Sequence, residues 1–168
     1  MTTISMYRAS VPVFTQALSN LNTILGKASA YADTKKIDHS ALLTARLAPD
    51  MLTFIRQIQI ATDNAKGCVS RLAGVDIPKY EDNETSFADL KTRLEKTIAY
   101  LASFKPEQLN GSEDKDITLS FGPNTFNFKG LDYLLSFAIA NVYFHVTTAY
   151  AILRHNGLEI GKRDFMGG

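Results

Sequence analysis

The chain contains no tryptophan, one cysteine and three histidines in 168 residues. A single cysteine excludes an intrachain disulfide framework and any multi-cysteine metal knuckle. Three histidines leave room for no more than one conventional histidine-based metal site. A charge excess is missing too: 18 Lys+Arg stand against 17 Asp+Glu, a formal net charge of +1. Bulk charge therefore holds neither a polyanion nor an acidic membrane. The sequence has no P-loop, dinucleotide fingerprint, nucleophile elbow, HExxH or EF-hand, and no basic stripe interleaved with aromatics. Nucleic acid is thus not expected as a partner. Residues 1–10 lack an apolar run of signal-peptide length, and with one unpaired thiol the cytoplasm is the expected compartment.

What is present suits a soluble globular protein, with 45% hydrophobic and 21% charged residues. Residues 1–168 are expected to form a single domain, long enough to bury roughly 70% of the unfolded chain's surface. No repeat or low-complexity tract interrupts it.

Apolar residues at Val11, Phe14, Leu18, Leu21 and Leu25 predict a first helix over about 5–33. Pro12 places its proper start near Ser10, or a bend there. Asp38 is suited to cap a short turn through Leu43. Pro49 and Gly74 bracket a second helix whose seam is Met51, Ile55, Ile58, Thr62, Ala65, Val69 and Leu72. Residues 75–85 read as a solvated crossover loop. Ser86 with Asp89 approximates a capping box for a third helix to about Phe104, with seam Phe87, Leu90, Leu94, Ile98 and Leu101. The period then changes: Ile117, Leu119 and Phe121, a Gly122-Pro123-Asn124 turn, then Phe126 and Phe128 predict a hairpin. A fourth helix from Leu131 to His155 follows, stopped by Asn156-Gly157, and Phe165 and Met166 in the tail are available to pack. The expected class is all-α, four helices in a bundle with a small hairpin before the last. The links on either side of the third helix are both long enough for crossovers.

From Tyr133 to Leu153 there is no charge, a stretch long enough to span a bilayer. Ser136, Asn141, His145, Thr147 and Thr148 within it, and flanks without a Lys/Arg cluster, favour a buried central helix. One stripe of that helix is apolar: Leu135, Ile139, Val142, Val146, Ala149 and Leu153. Its neighbour stacks Asn141, His145 and Thr148 at helical spacing. A buried polar group left unpaired costs about 1–3 kcal/mol, so each needs a partner. Arg56, Gln59, Asp63 and Lys66 share a face of the second helix. Asp63 within reach of His145 would fix the imidazole tautomer or share a metal with it. The blander alternative pairs Asp63 with Lys66 or Arg56 on a wet surface. His155 fits a helix C-terminus, His39 an exposed loop and Cys68 an inert core position.

The runs Ala45-Arg46-Leu47-Ala48-Pro49-Asp50-Met51, Gln57-Ile58-Gln59-Ile60-Ala61 with Asp63, Ala65-Lys66 and Arg71-Leu72-Ala73-Gly74, together with Phe144-His145 and Thr148 through Gly157, carry a resemblance over essentially the whole chain. The sequence resembles a bacterial family of unknown function grouped with the DinB/YfiT-like metalloenzymes. The resemblance implies a four-helix bundle with crossed connections, often dimeric. Similar proteins include thiol-dependent transferases and a mycothiol-dependent isomerase. It also implies a divalent metal, zinc or nickel, held by one His on the second helix and an H-x3-H pair on the fourth. By position that pair falls on Asn141 and His145, and the second-helix ligand near Gln59, with Asp63 one turn on. One imidazole of three remains, and amides are weak ligands for zinc or nickel. The expected metal site is therefore a degenerate one of His145 and Asp63, with no tightly bound metal the stronger expectation.

Two functions follow. One is a small-molecule enzyme of transferase or hydrolase type with a polar pocket between the second and fourth helices. There His145 is base or ligand, Asp63 orients it, and Asn141, Gln59 and Thr148 hold substrate or water. The other is a non-catalytic binding module that has lost its metal site. A homodimer is expected in either case, from a fourth helix that is apolar nearly all round.

Overall fold

The computed structural model describes residues 4–168. Helix α1 spans Met6–Lys35, with the Ser5 hydroxyl accepting from the Arg8 amide. Its buried face contains Val11, Phe14, Leu18, Leu21 and Leu25, as their spacing predicts. The helix starts before Ser10 and continues through Pro12. Proline removes the bond to the Arg8 carbonyl, but both residues are exposed, so water can take that carbonyl. Asp38 caps α2 (His39–Leu43) by accepting from the Ser40 amide at 2.9 Å.

Helix α3 spans Phe54–Ala73 and begins later than Pro49. Pro49 and Asp50 instead form the corner of a turn closed by the Met51 amide on the Ala48 carbonyl at 3.0 Å, and proline favours the first corner position. Gly74 ends α3 with φ +74°, a left-handed conformation that suits glycine. The Ser86/Asp89 capping box opens α4 (Phe87–Ala102). After α5 (Pro106–Leu109), strands β1 (Asp116–Phe121) and β2 (Asn124–Lys129) pair antiparallel, Ile117 opposite Phe128 and Leu119 opposite Phe126. Helix α6 (Gly130–Asp132), a π-helical stretch Tyr133–Ala138 and α7 (Ile139–His155) form one continuous helix, Gly130–His155. By length and composition it could cross a membrane. Here it packs on α3 and α1. Helix α8 (Lys162–Met166) returns to α1 through a Lys27–Asp164 ion pair. Phe165 packs edge-on against Tyr150, while Met166 remains exposed.

The contacts fix the helix directions. Phe54 and Phe87 at the starts of α3 and α4 have ring centroids 6.1 Å apart, and Ser70 meets Tyr100 near their ends at 2.8 Å. These two helices are therefore parallel. His145 of α7 meets Gln57 near the start of α3, whereas Tyr133 meets Arg71 near its end, so α3 and the last helix are antiparallel. Only the link between α3 and α4 crosses the fold lengthwise; residues 103–129 connect helix ends on the same side. A 20-residue helix is about 30 Å long, and the twelve residues 75–86 can span that distance.

Arg93 on α4, 4% exposed, fastens this strap. Its Nη1 donates to the Glu81 carbonyl at 3.1 Å and Glu84 Oε1 at 2.9 Å. Its Nη2 donates to Asp63 Oδ1 at 2.9 Å, and its Nε to Thr62 Oγ1 at 2.7 Å. Tyr80 of the strap lies among Lys96, Lys66 and Arg93, 4.1, 4.7 and 5.4 Å from its ring centroid, within cation–π range.

Two substitutions test these constraints. Arg93→Met leaves Asp63 and Glu84 without their shared cation; breaking a buried pair costs about 3–5 kcal/mol. Urea unfolding should show a loss of that order, and hydrogen exchange should accelerate across residues 75–86. Gly130 abuts the backbone of Ser112, where a Cβ would overlap the carbonyl oxygen. Gly130→Ala should lower the urea midpoint by the equivalent of about 3 kcal/mol, the upper end of ordinary overpacking.

Candidate functional site

The last helix presents His145 to α3. His145 is 8% exposed, and its Nδ1 lies 2.7 Å from Gln57 Oε1. Gln57, 1% exposed, donates from its own Nε2 to the Leu52 carbonyl at 3.0 Å. That second bond fixes the amide, so its oxygen faces the ring. An amide oxygen only accepts, so Nδ1 must carry the proton. Nε2 is then the basic nitrogen, and no protein group partners it among the described residues. Burial lowers the imidazole's affinity for a second proton below the ordinary histidine value. The site is a neutral imidazole of one tautomer, with its basic nitrogen free.

The other candidates lie elsewhere or are already engaged. Asp63 does not meet His145: its Oδ1 binds Arg93 at 2.9 Å and Lys66 at 2.8 Å. Gln59 of α3 also faces the strap, donating to Glu84 at 2.7 Å and accepting from Arg56 at 2.7 Å. The reason is angular. Gln59, Thr62, Asp63 and Lys66 share the α3 face beneath the strap, whereas Gln57, Ala61 and Cys68 share the face toward α7. Asn141 and Thr148 do stack with His145, but their donors bond within the helix. Asn141 donates to Phe137 O at 2.8 Å and Thr148 to Phe144 O at 2.7 Å. The polar stripe therefore exists, but only His145 reaches across to α3. Gln57 is the member that the polar face Arg56–Gln59–Asp63–Lys66 does not contain, although a lone glutamine at the head of the Ala61–Cys68 face was a usable signal.

The donor set does not fit a zinc or nickel ion. His39 pairs with Asp33 at 2.9 Å and His155 is exposed at a helix end. Among the described residues no group of three or more His, Cys, Asp or Glu side chains stands together as metal ligands. One imidazole nitrogen supplemented by amides is a poor site for either metal. Cys68 is buried, which pushes its thiol well above the ordinary range and leaves it unreactive.

Two concavities flank these elements. A polar cleft of about 630 Å³ lies beside the strap, lined by Lys79, Tyr80, Asn83, Thr92 and Lys96 among others. A shallower groove of about 410 Å³ is formed by Leu47, Ala140, Tyr143, Phe144, Thr148 and Ala151. It borders His145 through Phe144, whose ring meets the imidazole edge-on at 5.2 Å.

The structure is similar to the crystal structure of a DinB family member protein from Shewanella denitrificans, with a TM-score of 0.87 and 41% sequence identity. The match covers 96% of this chain and 92% of that one. No curated protein matches the chain. Residues 6–166 match the family described as Domain of unknown function (DUF1993). The chain thus belongs to the DUF1993 family, within the DinB-like superfamily that its α3 and α7 motifs resemble.

Proposed function

We propose that this DUF1993 protein is a small-molecule enzyme of transferase or hydrolase type, built as a DinB-like four-helix bundle. Its working group is the neutral imidazole of His145 rather than a bound metal. The observation that supports this reading is the Leu52–Gln57–His145 relay, which leaves Nε2 basic and unpartnered on a ring that packs against Phe144 of the apolar groove. His145 accepts a proton from a substrate or from water, Gln57 positions the ring, and the Phe144 side of the groove receives an apolar portion of the ligand. General-base assistance of this kind contributes typically about 10²–10⁴-fold to a rate.

Nitrogen-15 NMR of the imidazole tests this reading directly. The expected signature at pH 7 is a neutral ring protonated at Nδ1, with Gln57→Leu releasing the tautomer preference. A charged ring at pH 7, or an Nε2-protonated one, would overturn the proposal. Metal analysis of untagged protein should find zinc and nickel well below one equivalent.

The lowered proton affinity also gives a stability prediction. The unfolded chain, with a histidine pKa of about 6.5, takes up a proton before the folded chain does. The stabilisation is therefore full above that value and declines as pH falls below it. Unfolding at pH 7.5 and pH 5 should show a larger acid loss for wild type than for His145→Gln.

A second reading, a dimeric binding module without catalysis, rests on the outer face of the last helix. Leu135 and Phe144 are 51% and 55% exposed there, on a helix uncharged from Tyr133 to Leu153. The helix has one exposed apolar face instead of being buried all round. Self-association through that face should give a dimeric mass by light scattering and a monomeric mass for Phe144→Asp. A wild-type monomer at tens of micromolar would remove this reading.

A further inference from the structure

At the opposite end of the α3–α7 seam from His145, Arg71 folds back along its own helix. Its Nη1 donates to the Tyr133 hydroxyl at 3.0 Å, and its guanidinium carbon lies 6.0 Å from that ring's centroid. The guanidinium crosses Gly67, where a Cβ would stand 2.6 Å from Nη1. A cation in the last turn of a helix ordinarily turns toward the free carbonyls. Arg71 turns away from them. Lys115 Nζ takes the Leu72 carbonyl instead, at 3.1 Å, and the amides of Gly74 and Val75 take those of Arg71 and Ser70. The dipole at the helix end therefore does not account for where this side chain lies.

Arg71 is half-buried, yet among the described residues no acidic side chain lies within ion-pair distance of it. Arg93, Arg56 and Lys66, by contrast, all have carboxylate partners. Arg71's Nε and Nη2, which form one parallel donor edge, have no protein partner among the described residues. Tyr133 is 1% exposed, hydroxyl included, and opens the π-helical stretch, an element frequent at functional sites.

We propose that Arg71 and Tyr133 form an oxyanion-binding site that receives a ligand bearing paired anionic oxygens, a carboxylate or a phosphate ester. The Nε–Nη2 edge takes two oxygens side by side, the geometry in which guanidinium outperforms ammonium. The buried Tyr133 hydroxyl holds the guanidinium in place by accepting from Nη1, and Gly67 provides the space in which the guanidinium lies. This site rests on observations separate from those at His145.

The test is a titration of nitrogen-15-labelled full-length protein, followed at the arginine Nε–H resonances, with inorganic phosphate in one arm and benzoate in the other. The Arg71 resonance is identified by its loss in Arg71→Lys and by its contact with the Tyr133 ring. It should shift saturably in at least one arm, with a dissociation constant of about 1 mM or tighter. The responding arm tells phosphate from carboxylate. Tyr133→Phe and Gly67→Ala should each weaken the response several-fold while the circular dichroism spectrum stays unchanged. A purely structural arginine gives no saturable shift in either arm up to about 10 mM, ten times that dissociation constant. That result, or an unaltered affinity in Gly67→Ala, overturns the proposal. The wild-type titration decides the matter even where a variant folds poorly.

Discussion

Two helices that run in the same direction cannot be joined by a tight turn, and α3 and α4 run in the same direction. The chain must travel the length of the fold between them, and its hydrophilic strap, with Glu81, Asp82 and Glu84, then lies over two helices. The buried Arg93 guanidinium makes this arrangement stable, because it satisfies the strap's carbonyl and carboxylate groups together with Asp63 of α3. A buried cation with incomplete partners is strongly destabilising, so each of these groups has an energetic reason to face α4. The consequence reaches the other side of α3. Asp63 and Gln59 are committed to the strap, and the only polar side chain of α3 that meets His145 is the amide of Gln57.

That division has a chemical consequence. A carboxylate beside His145 Nδ1 would stabilise the imidazolium and raise its proton affinity. An amide oxygen orients the ring without adding charge, and burial then keeps the ring neutral. The same helix thus carries a charged network on one face and a neutral hydrogen-bonded pair on another, separated by about 100° per residue of helical rotation. Scarce histidine is consistent with this arrangement: the seam uses one ring, hydrogen-bonded to one amide.

Much of the architecture was legible from local signals. Asp38, Ser86 with Asp89, and Gly74 each marked an actual helix end, because capping is decided by a few adjacent residues. The hairpin's alternation was equally local. Pro49 misled because proline suits both the first turn of a helix and the corner of a turn. Pro12 misled because an exposed helix edge tolerates the missing bond. The angular position of a side chain around a helix was legible only coarsely. The contest between Asp63 and Gln57 for His145 was settled by Arg93, thirty residues from Asp63 in sequence, and no spacing rule on α3 contains that information. The π-helical stretch was likewise invisible, since its residues Tyr133–Ala138 have the composition of an ordinary core helix.

That stretch bears on how the last helix engages α3 at both ends. A π-turn accommodates one extra residue relative to an α-helix, which displaces everything before it by about 100° relative to everything after it. In a regular helix Tyr133 and His145, twelve residues apart, would differ in azimuth by about 120°. With the extra residue absorbed, the difference falls to about 20°, and both side chains face α3. The insertion is what allows one helix to present an imidazole to Gln57 and a phenol to Arg71 along a single seam.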